Sequence, residues 1–174
     1  MTKPQLYVIC GPSGAGKTSY AAQLSKKIKD ADYIPIDYLY QQNHISTTEK
    51  RKRFKFDIWI MFMKEIRRHE LHNRSLIIET CCPTTASKLQ FIEWFPGFEH
   101  HFIYIEASKQ LCMRNNASRS THKLTNEELI SNFKQNKFDP AAFNDPRWKS
   151  AIRLHNIGNK KYYIVSQKGQ CIKP

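Results

Sequence analysis

The chain has 174 residues, with 28 lysines and arginines against 15 aspartates and glutamates, for a net charge of +13. At roughly 150 residues per domain, this length implies one domain, and 40% apolar residues are enough for a core, which excludes intrinsic disorder and a disulfide-stapled miniprotein. The longest apolar stretch, 56–63, is interrupted by Asp57 and falls far short of the ~20 residues that cross a bilayer. The run at 6–10 is too short for a signal peptide. A cytoplasmic protein with no membrane partner is expected. Five cysteines (Cys10, Cys81, Cys82, Cys112, Cys171) without a CxxC pair read as reduced thiols. The adjacent Cys81 and Cys82 read as two small apolar residues pointing to opposite sides. Seven histidines form no metal signature, and His69 and His72 are expected on the solvated surface.

The charge lies in blocks. Residues 50–74 sum to +6, residues 107–123 to +4 and residues 147–174 to +7, the last two without an acid, and the remainder sums to −4. Each block alone is explained by a solvated face. Together they point to an anionic partner, and to a polymer above a small phosphate, because nucleic acid rewards many cations.

In chain order, buried strands are expected at residues 6–10, 33–36, 76–79, 102–105 and 162–165, with helical periodicity between them. The first helix starts within Gly16-Lys17-Thr18 and turns Tyr20, Leu24 and Ile28 inward. A longer one follows the capping-box spacing of Ser46 to Glu49, with Phe54, Ile58, Phe62 and Ile66 on its inner side. Thr125 and Glu128 repeat the pattern before Leu129. Strands alternating with helices give an α/β domain with a five-stranded, mainly parallel sheet flanked by helices. It is read as a single domain over 1–174, with a helical insert at about 45–74, a lid at about 111–124 and an irregular segment marked by Asp139-Pro140 and Asp145-Pro146.

Gly11-Pro12-Ser13-Gly14-Ala15-Gly16-Lys17-Thr18 satisfies G-x-x-x-x-G-K-[ST] directly after a strand and before a helix. Such a loop turns its backbone N–H groups onto phosphate oxygens and sets them at the positive end of a helix. Gly11, Ser13, Gly14, Ala15, Gly16, Lys17, Thr18 and Ser19 are therefore the expected nucleotide-binding residues. Lys17 would reach the β- and γ-phosphates of ATP, and the Thr18 hydroxyl would join the Mg²⁺ shell. Asn136 to Asp139 spell N-K-x-D, but at the end of a helix and without a D-x-x-G, so a GTPase is not expected.

Asp37 follows the second strand, at the sheet edge where open α/β folds bind ligands. There it is either a base that orients an acceptor hydroxyl or an Asx turn at a strand end. Glu79 ends the third strand and would hold Mg²⁺ through water or bind the acceptor. Arg114 and Arg119 stand in the acid-free segment 111–123, which suits either a lid closing over phosphates or an ordinary basic helix. Arg51, Arg53 and Phe56 belong to a segment interleaving aromatics with cations. Phe56 is a candidate for base stacking, and the competing reading is an amphipathic helix.

These features resemble the polynucleotide-kinase branch of the small P-loop kinases, related to the zeta-toxin kinases. The resemblance covers residues 5–137 and rests on 6–18, on Ile34-Pro35-Ile36-Asp37-Tyr38 and on Arg114-Asn115-Asn116-Ala117-Ser118-Arg119 before a helix. It implies ATP and Mg²⁺ as cofactors, Lys17 and Thr18 as their ligands, Asp37 as base and Arg114 and Arg119 as lid arginines. Leu76 to Thr80 is similar to the family's third strand, which makes Thr80 a substrate-binding candidate. Two departures stand out: the lid arginines are one residue further apart than in the family pattern, and Tyr38 stands where a second acid is common. No phosphatase domain follows, which implies a standalone kinase. The Lys-, Asn- and Ile-rich composition fits a phage, whose enzyme would act in the host cytoplasm, or a low-GC bacterium.

The leading expectation is a phosphotransferase that moves the ATP γ-phosphoryl group to an alcohol on nucleic acid, DNA above RNA. The acceptor is a 5′-hydroxyl end or a hydroxymethylated pyrimidine. The alternatives are a small-molecule kinase acting on a nucleoside, a deoxynucleoside monophosphate or a nucleotide sugar, and a non-catalytic, nucleotide-gated nucleic-acid-binding module.

Overall fold

A computed structural model of the chain describes residues 2–120 and 123–169. Cys171, residues 121–122 of the expected lid and residues 170–174 of the basic tail lie outside them. Six strands form one sheet: β1 (Gln5–Cys10), β2 (Ala31–Pro35), β3 (Ser75–Thr80), β4 (Glu99–Ala107), β5 (Ser150–Gly158) and β6 (Lys161–Lys168). Their order is β2-β3-β1-β4-β5-β6. The first five run parallel and β6 returns antiparallel to β5.

The sheet is thus mixed and six-stranded where five mainly parallel strands were expected. The unforeseen strand is β5, whose Arg153 and His155 interrupt the apolar run that marks a buried strand. The strand expected as buried at 162–165 is part of β6 on the sheet edge, where Tyr163, Ile164 and Val165 are exposed.

Alternation along the strands feeds two apolar layers. On one face Leu6, Val8, Leu76, Ile78 and Phe102 meet Ile58, Phe62 and Ile66 of α4 (Lys55–Leu71), Phe91 of α5 (Thr85–Trp94) and Trp148. On the other, Tyr7, Ile9, Ile77, Ile103 and Ile105 meet Tyr20 and Leu24 of α1 (Lys17–Lys27) and Leu111 and Cys112 of α6 (Lys109–Ala117). Between β2 and α4 the chain forms α2 (Ile36–Gln42) and α3 (Thr48–Arg53). No helix among the described residues is long and apolar enough to cross a membrane.

The helix expected after residue 46 is divided. Thr47 caps α3 by accepting from the Lys50 N–H, and Phe54 both ends α3 and starts α4. Phe54 therefore leaves the inner face and is 36% exposed, while Ile58, Phe62 and Ile66 stay buried. His69 corrects a second expectation: it is buried, with its ring between the Glu65 carbonyl at 2.9 Å and Asp32 at 3.1 Å. The Thr125/Glu128 capping box does open α7 (Asn126–Gln135). The Asp139-Pro140 segment holds a short helix, α8 (Pro140–Asn144). Asp139 accepts from its Ala141 and Ala142 N–H groups and faces the buried Lys88 ammonium at 3.4 Å.

In β4, His100 and His101 are buried, and burial lowers the pKa of each ring to about 4. The unfolded chain takes up these protons near pH 6.5, where the folded chain refuses them. Stability therefore falls as pH drops from about 6.5 toward 4, with a slope of up to about 2.7 kcal/mol per pH unit for two protons. Thermal melts across that range should show the loss, and His100→Asn should make the slope shallower.

Candidate active site

The turn from β1 into α1 carries its glycines where only glycine fits. Gly11, Gly14 and Gly16 have φ of 146°, 82° and 96°. A Cβ at Gly11 would lie 2.2 Å from the Ile105 carbonyl oxygen, one at Gly14 2.5 Å from that of Cys112, and one at Gly16 2.4 Å from Asn156 Nδ2. The loop is pinned from outside by side chains. Asn115 Nδ2 donates to the Gly14 carbonyl at 2.8 Å, Asn156 Nδ2 to Ala15 at 2.8 Å and the Tyr162 hydroxyl to Gly16 at 2.8 Å. The Ser13 N–H donates to Asn132 Oδ1 at 2.7 Å. Burial raises the Tyr162 hydroxyl pKa to about 12, so it remains a donor at neutral pH.

Lys17 Nζ donates to the Gly11 and Pro12 carbonyls, each at 3.0 Å, and lies 3.5 Å from Cys81 Sγ. Beside it the Thr18 hydroxyl donates to the Glu79 carboxylate at 2.9 Å, and the Tyr33 hydroxyl donates to Glu79 Oε1 at 2.7 Å. Burial and the Glu79 charge push the Tyr33 hydroxyl far above its ordinary range, which keeps it a donor. The sequence-derived metal pair, Thr18 and Glu79, is thus brought together at the loop. Its oxygen donors suit a hard cation such as Mg²⁺, which takes few protein ligands and completes its shell with phosphate and water. The glycine cradle and Lys17 likewise fit a polyphosphate.

Asp37 stands in the first turn of α2 instead of at a strand end. Its Oδ1 accepts from Arg51 Nη1 at 2.7 Å, and its side chain is 55% exposed. The Arg51 guanidinium lies 4.2 Å over the Tyr40 ring, and its Nε and Nη2 are shielded from solvent without a hydrogen-bond partner. Arg53 is on the surface, over the Phe54 ring, and Phe56 is 72% exposed. Thr80 is buried, with its hydroxyl 3.8 Å from Cys82 Sγ. Cys81 is exposed and Cys82 buried, on opposite sides as expected.

A cleft of about 340 Å³ opens beside the loop, lined by Lys17, Thr18, Ser19, Asn115, Arg119 and Tyr162 among others. Of the two lid arginines, Arg119 lines it. Arg114 is directed to the rim, where its Nη2 lies 3.1 Å from the position a Cβ would take on Gly158. The bracing residues Asn115, Asn132, Asn156 and Tyr162 carry no motif of their own. Asn115 alone had a signal, its place within the arginine-flanked segment.

A family model described as an AAA domain matches residues 6–138. Among curated proteins no match to the sequence is found. Solved structures that share the fold include the following three. A gluconokinase from Sinorhizobium meliloti is 15% identical with a TM-score of 0.59, over 92% of this chain and 87% of its own. A chain of the Pnkp1/Rnl/Hen1 RNA repair complex is 14% identical with a TM-score of 0.66, over 80% and 47%. A chain of the AvrRxo1-ORF1:-ORF2 complex with ATP is 13% identical with a TM-score of 0.74, over 95% and 58%. This chain therefore spans about half the length of the last two.

Gly14→Ala would set a methyl group 2.5 Å from the Cys112 carbonyl oxygen at a φ of 82°, and such strain costs about 1–3 kcal/mol. The expected outcome is a lowered melting temperature together with loss of binding of a fluorescent ATP analogue.

Proposed function

The chain belongs to the AAA-domain family, and from that premise we propose that it is an ATP-dependent kinase that phosphorylates a hydroxyl of nucleic acid. The observation that carries this reading is the convergence of Lys17, Thr18 and Glu79 on a cradle only glycine can form, with the Asp37–Arg51 pair at the same edge of the sheet. Phosphoryl transfer needs positioning and charge stabilisation more than covalent chemistry from the protein, and these residues supply both.

The loop N–H groups hold the phosphates, and Lys17 exchanges its two loop carbonyls for phosphate oxygens. Thr18 and Glu79 would hold Mg²⁺, which when bound neutralises charge between the phosphates. Arg51 fixes Oδ1 of Asp37 and leaves Oδ2 to accept the proton of the attacking hydroxyl. Arg119, on the cleft wall, offsets the charge that develops on the transferred group.

A polymer acceptor is supported by the surface around Asp37. Exposed Lys50, Arg53 and Lys55 flank Arg51, the partner of Asp37, along α3 and the start of α4, with Tyr38 50% and Phe56 72% exposed for stacking. DNA and either an end hydroxyl or a base hydroxymethyl group are the acceptors this reading prefers. A small-molecule acceptor is the second reading, supported by the similarity to gluconokinase over most of both chains.

With labelled ATP, label is expected on an oligonucleotide and not on free nucleosides or gluconate, and label confined to small molecules would sink the polymer assignment. Asp37→Asn should lower turnover by about 10²–10⁴-fold, and undiminished transfer would remove the base. Lys17→Ala should abolish transfer; a change in oligonucleotide affinity alone, in a protein that never transfers phosphate, is the mark of a binding module. Oligonucleotide affinity should fall with salt at a log–log slope of about −0.9 per phosphate contact on duplex DNA.

A further inference from the structure

The strand that ends the sheet leaves one of its sides open. β6 pairs with β5 alone, so the backbone N–H and C=O groups along its outer side meet no further strand among the described residues. The strand itself is held firmly. Asn159 and Lys160, with φ of 51° and 58°, turn β5 back in a tight hairpin, Gln23 Nε2 donates to the Lys160 carbonyl at 3.2 Å, and the Tyr162 hydroxyl reaches Gly16. Tyr163, Ile164 and Val165 are all exposed, Tyr163 at 60%. Alternation sends Ile164 to one face of the sheet and Lys161, Tyr163 and Val165 to the other, so this edge is apolar on both faces. Folded proteins blunt such an edge with charge or proline, and residues 162–167 contain neither.

Charge narrows what the edge accepts. Residues 147–174 hold seven lysines and arginines and no acid. Arg147, Lys149 and Arg153 are paired with Asp145, Glu99 and Glu106, and the Lys168 ammonium donates to the Asn144 and Asp145 carbonyls. Lys160 lies on the wall of the nucleotide cleft. That leaves Lys161, exposed at the start of β6 and without an ion pair among the described residues. A second copy of the chain would bring its own net charge of +13 and no acid to the seam. Nucleic acid would answer the lysine but has no peptide ladder for the open N–H and C=O groups and no apolar partner for Ile164 and Val165. An extended peptide supplies both, and an acid beside its apolar run completes the match.

We propose that the open edge of β6 binds an extended, acidic segment of a partner protein, which joins the sheet as a seventh strand. Its apolar residues lie against Tyr163, Ile164 and Val165, and an acid at the end of the run meets Lys161. Because the edge is apolar on both faces, the matching run is continuous instead of alternating with polar residues. The surface stands apart from phosphoryl transfer, because Lys161, Tyr163, Ile164 and Val165 take no part in the nucleotide cleft.

The test is fluorescence anisotropy of a labelled peptide, Asp-Glu-Thr-Val-Ile-Val-Thr-Asp-Glu, titrated with the full chain; acids at both ends let either strand direction reach Lys161. Saturable binding is expected. Methylating the backbone amides of Val-Ile-Val removes ladder donors and should weaken binding about tenfold, and exchanging the acids for lysines should weaken it too. In the protein, Val165→Lys should cost about fivefold, the worth of one cross-strand pair, and Lys161→Glu about threefold, the worth of an exposed ion pair. An unchanged melting temperature shows that each variant folds, and Tyr163→Lys replaces Val165→Lys if it does not. The proposal is overturned by the absence of saturable binding, by equal binding of the methylated or the lysine-ended peptide, or by affinity unchanged in Val165→Lys and Lys161→Glu. Two other occupants would also overturn it. A chain that self-associates and becomes monomeric with Val165→Lys assigns the edge to a second copy, and a single-stranded oligonucleotide whose binding is lost in Val165→Lys assigns it to nucleic acid. The readout is binding, so a chain that fails to transfer phosphate still decides it.

Discussion

A phosphate loop can turn its N–H groups inward only if its carbonyls are satisfied outward, and this requirement organises most of the molecule. The carbonyls of Gly14, Ala15 and Gly16 are taken by Asn115, Asn156 and Tyr162, and those of Gly11 and Pro12 by Lys17. The braces come from α6, β5 and β6, elements on the far half of the sheet from β2 and β3. Positive φ at the three positions carries no strain because each is glycine, and the frame fixes which turn that freedom is used for. The sixth strand, a simple edge extension in outline, places one of the hydroxyls that shape the cradle.

The other half of the sheet carries Glu79 and leads to Asp37, the proposed base. Glu79 at the end of β3 links Thr18 of the loop to Tyr33 of β2, so the loop and the strand leading to Asp37 are joined by hydrogen bonds through one carboxylate. Arg51 crosses from α3 to fix Asp37, drawing the basic helical insert onto the site through one ion pair. Asp37 is 55% exposed and the desolvated Nε and Nη2 of Arg51 lack partners, so the pair orients the carboxylate more than it stabilises the fold.

What the sequence disclosed follows the locality of each signal. The G-x-x-x-x-G-K-[ST] motif, the strand before it and the α1 face are written in neighbouring residues, and the fold reproduces them. Glu79 and Thr18, 61 residues apart, were paired by chemistry before any geometry was known. Illegible were the features that depend on partners far along the chain. β5 hid because alternate positions carry Arg153 and His155, which face a polar cavity instead of the core. His69 looked like a surface residue because its partner, Asp32, is on β2, 37 residues away in the chain. The insert helix broke at Phe54, where the capping of α3 and the apolar stripe of α4 cannot share one axis. The braces Asn132 and Asn156 are ordinary asparagines until the loop is folded against them.

The distance between loop and braces also bears on how the protein is made. Asn156 reaches back 141 residues to Ala15, and Tyr162 reaches back 146 residues to Gly16. Contacts this remote close late, because the chain entropy of the intervening segment must be overcome first. During translation the motif leaves the ribosome well before β5 and β6, with α1 behind it, and its cradle stays unset until the β5–β6 hairpin has emerged and paired. A nascent chain therefore carries the nucleotide signature long before it can hold a nucleotide, and binding competence waits on the β5–β6 hairpin.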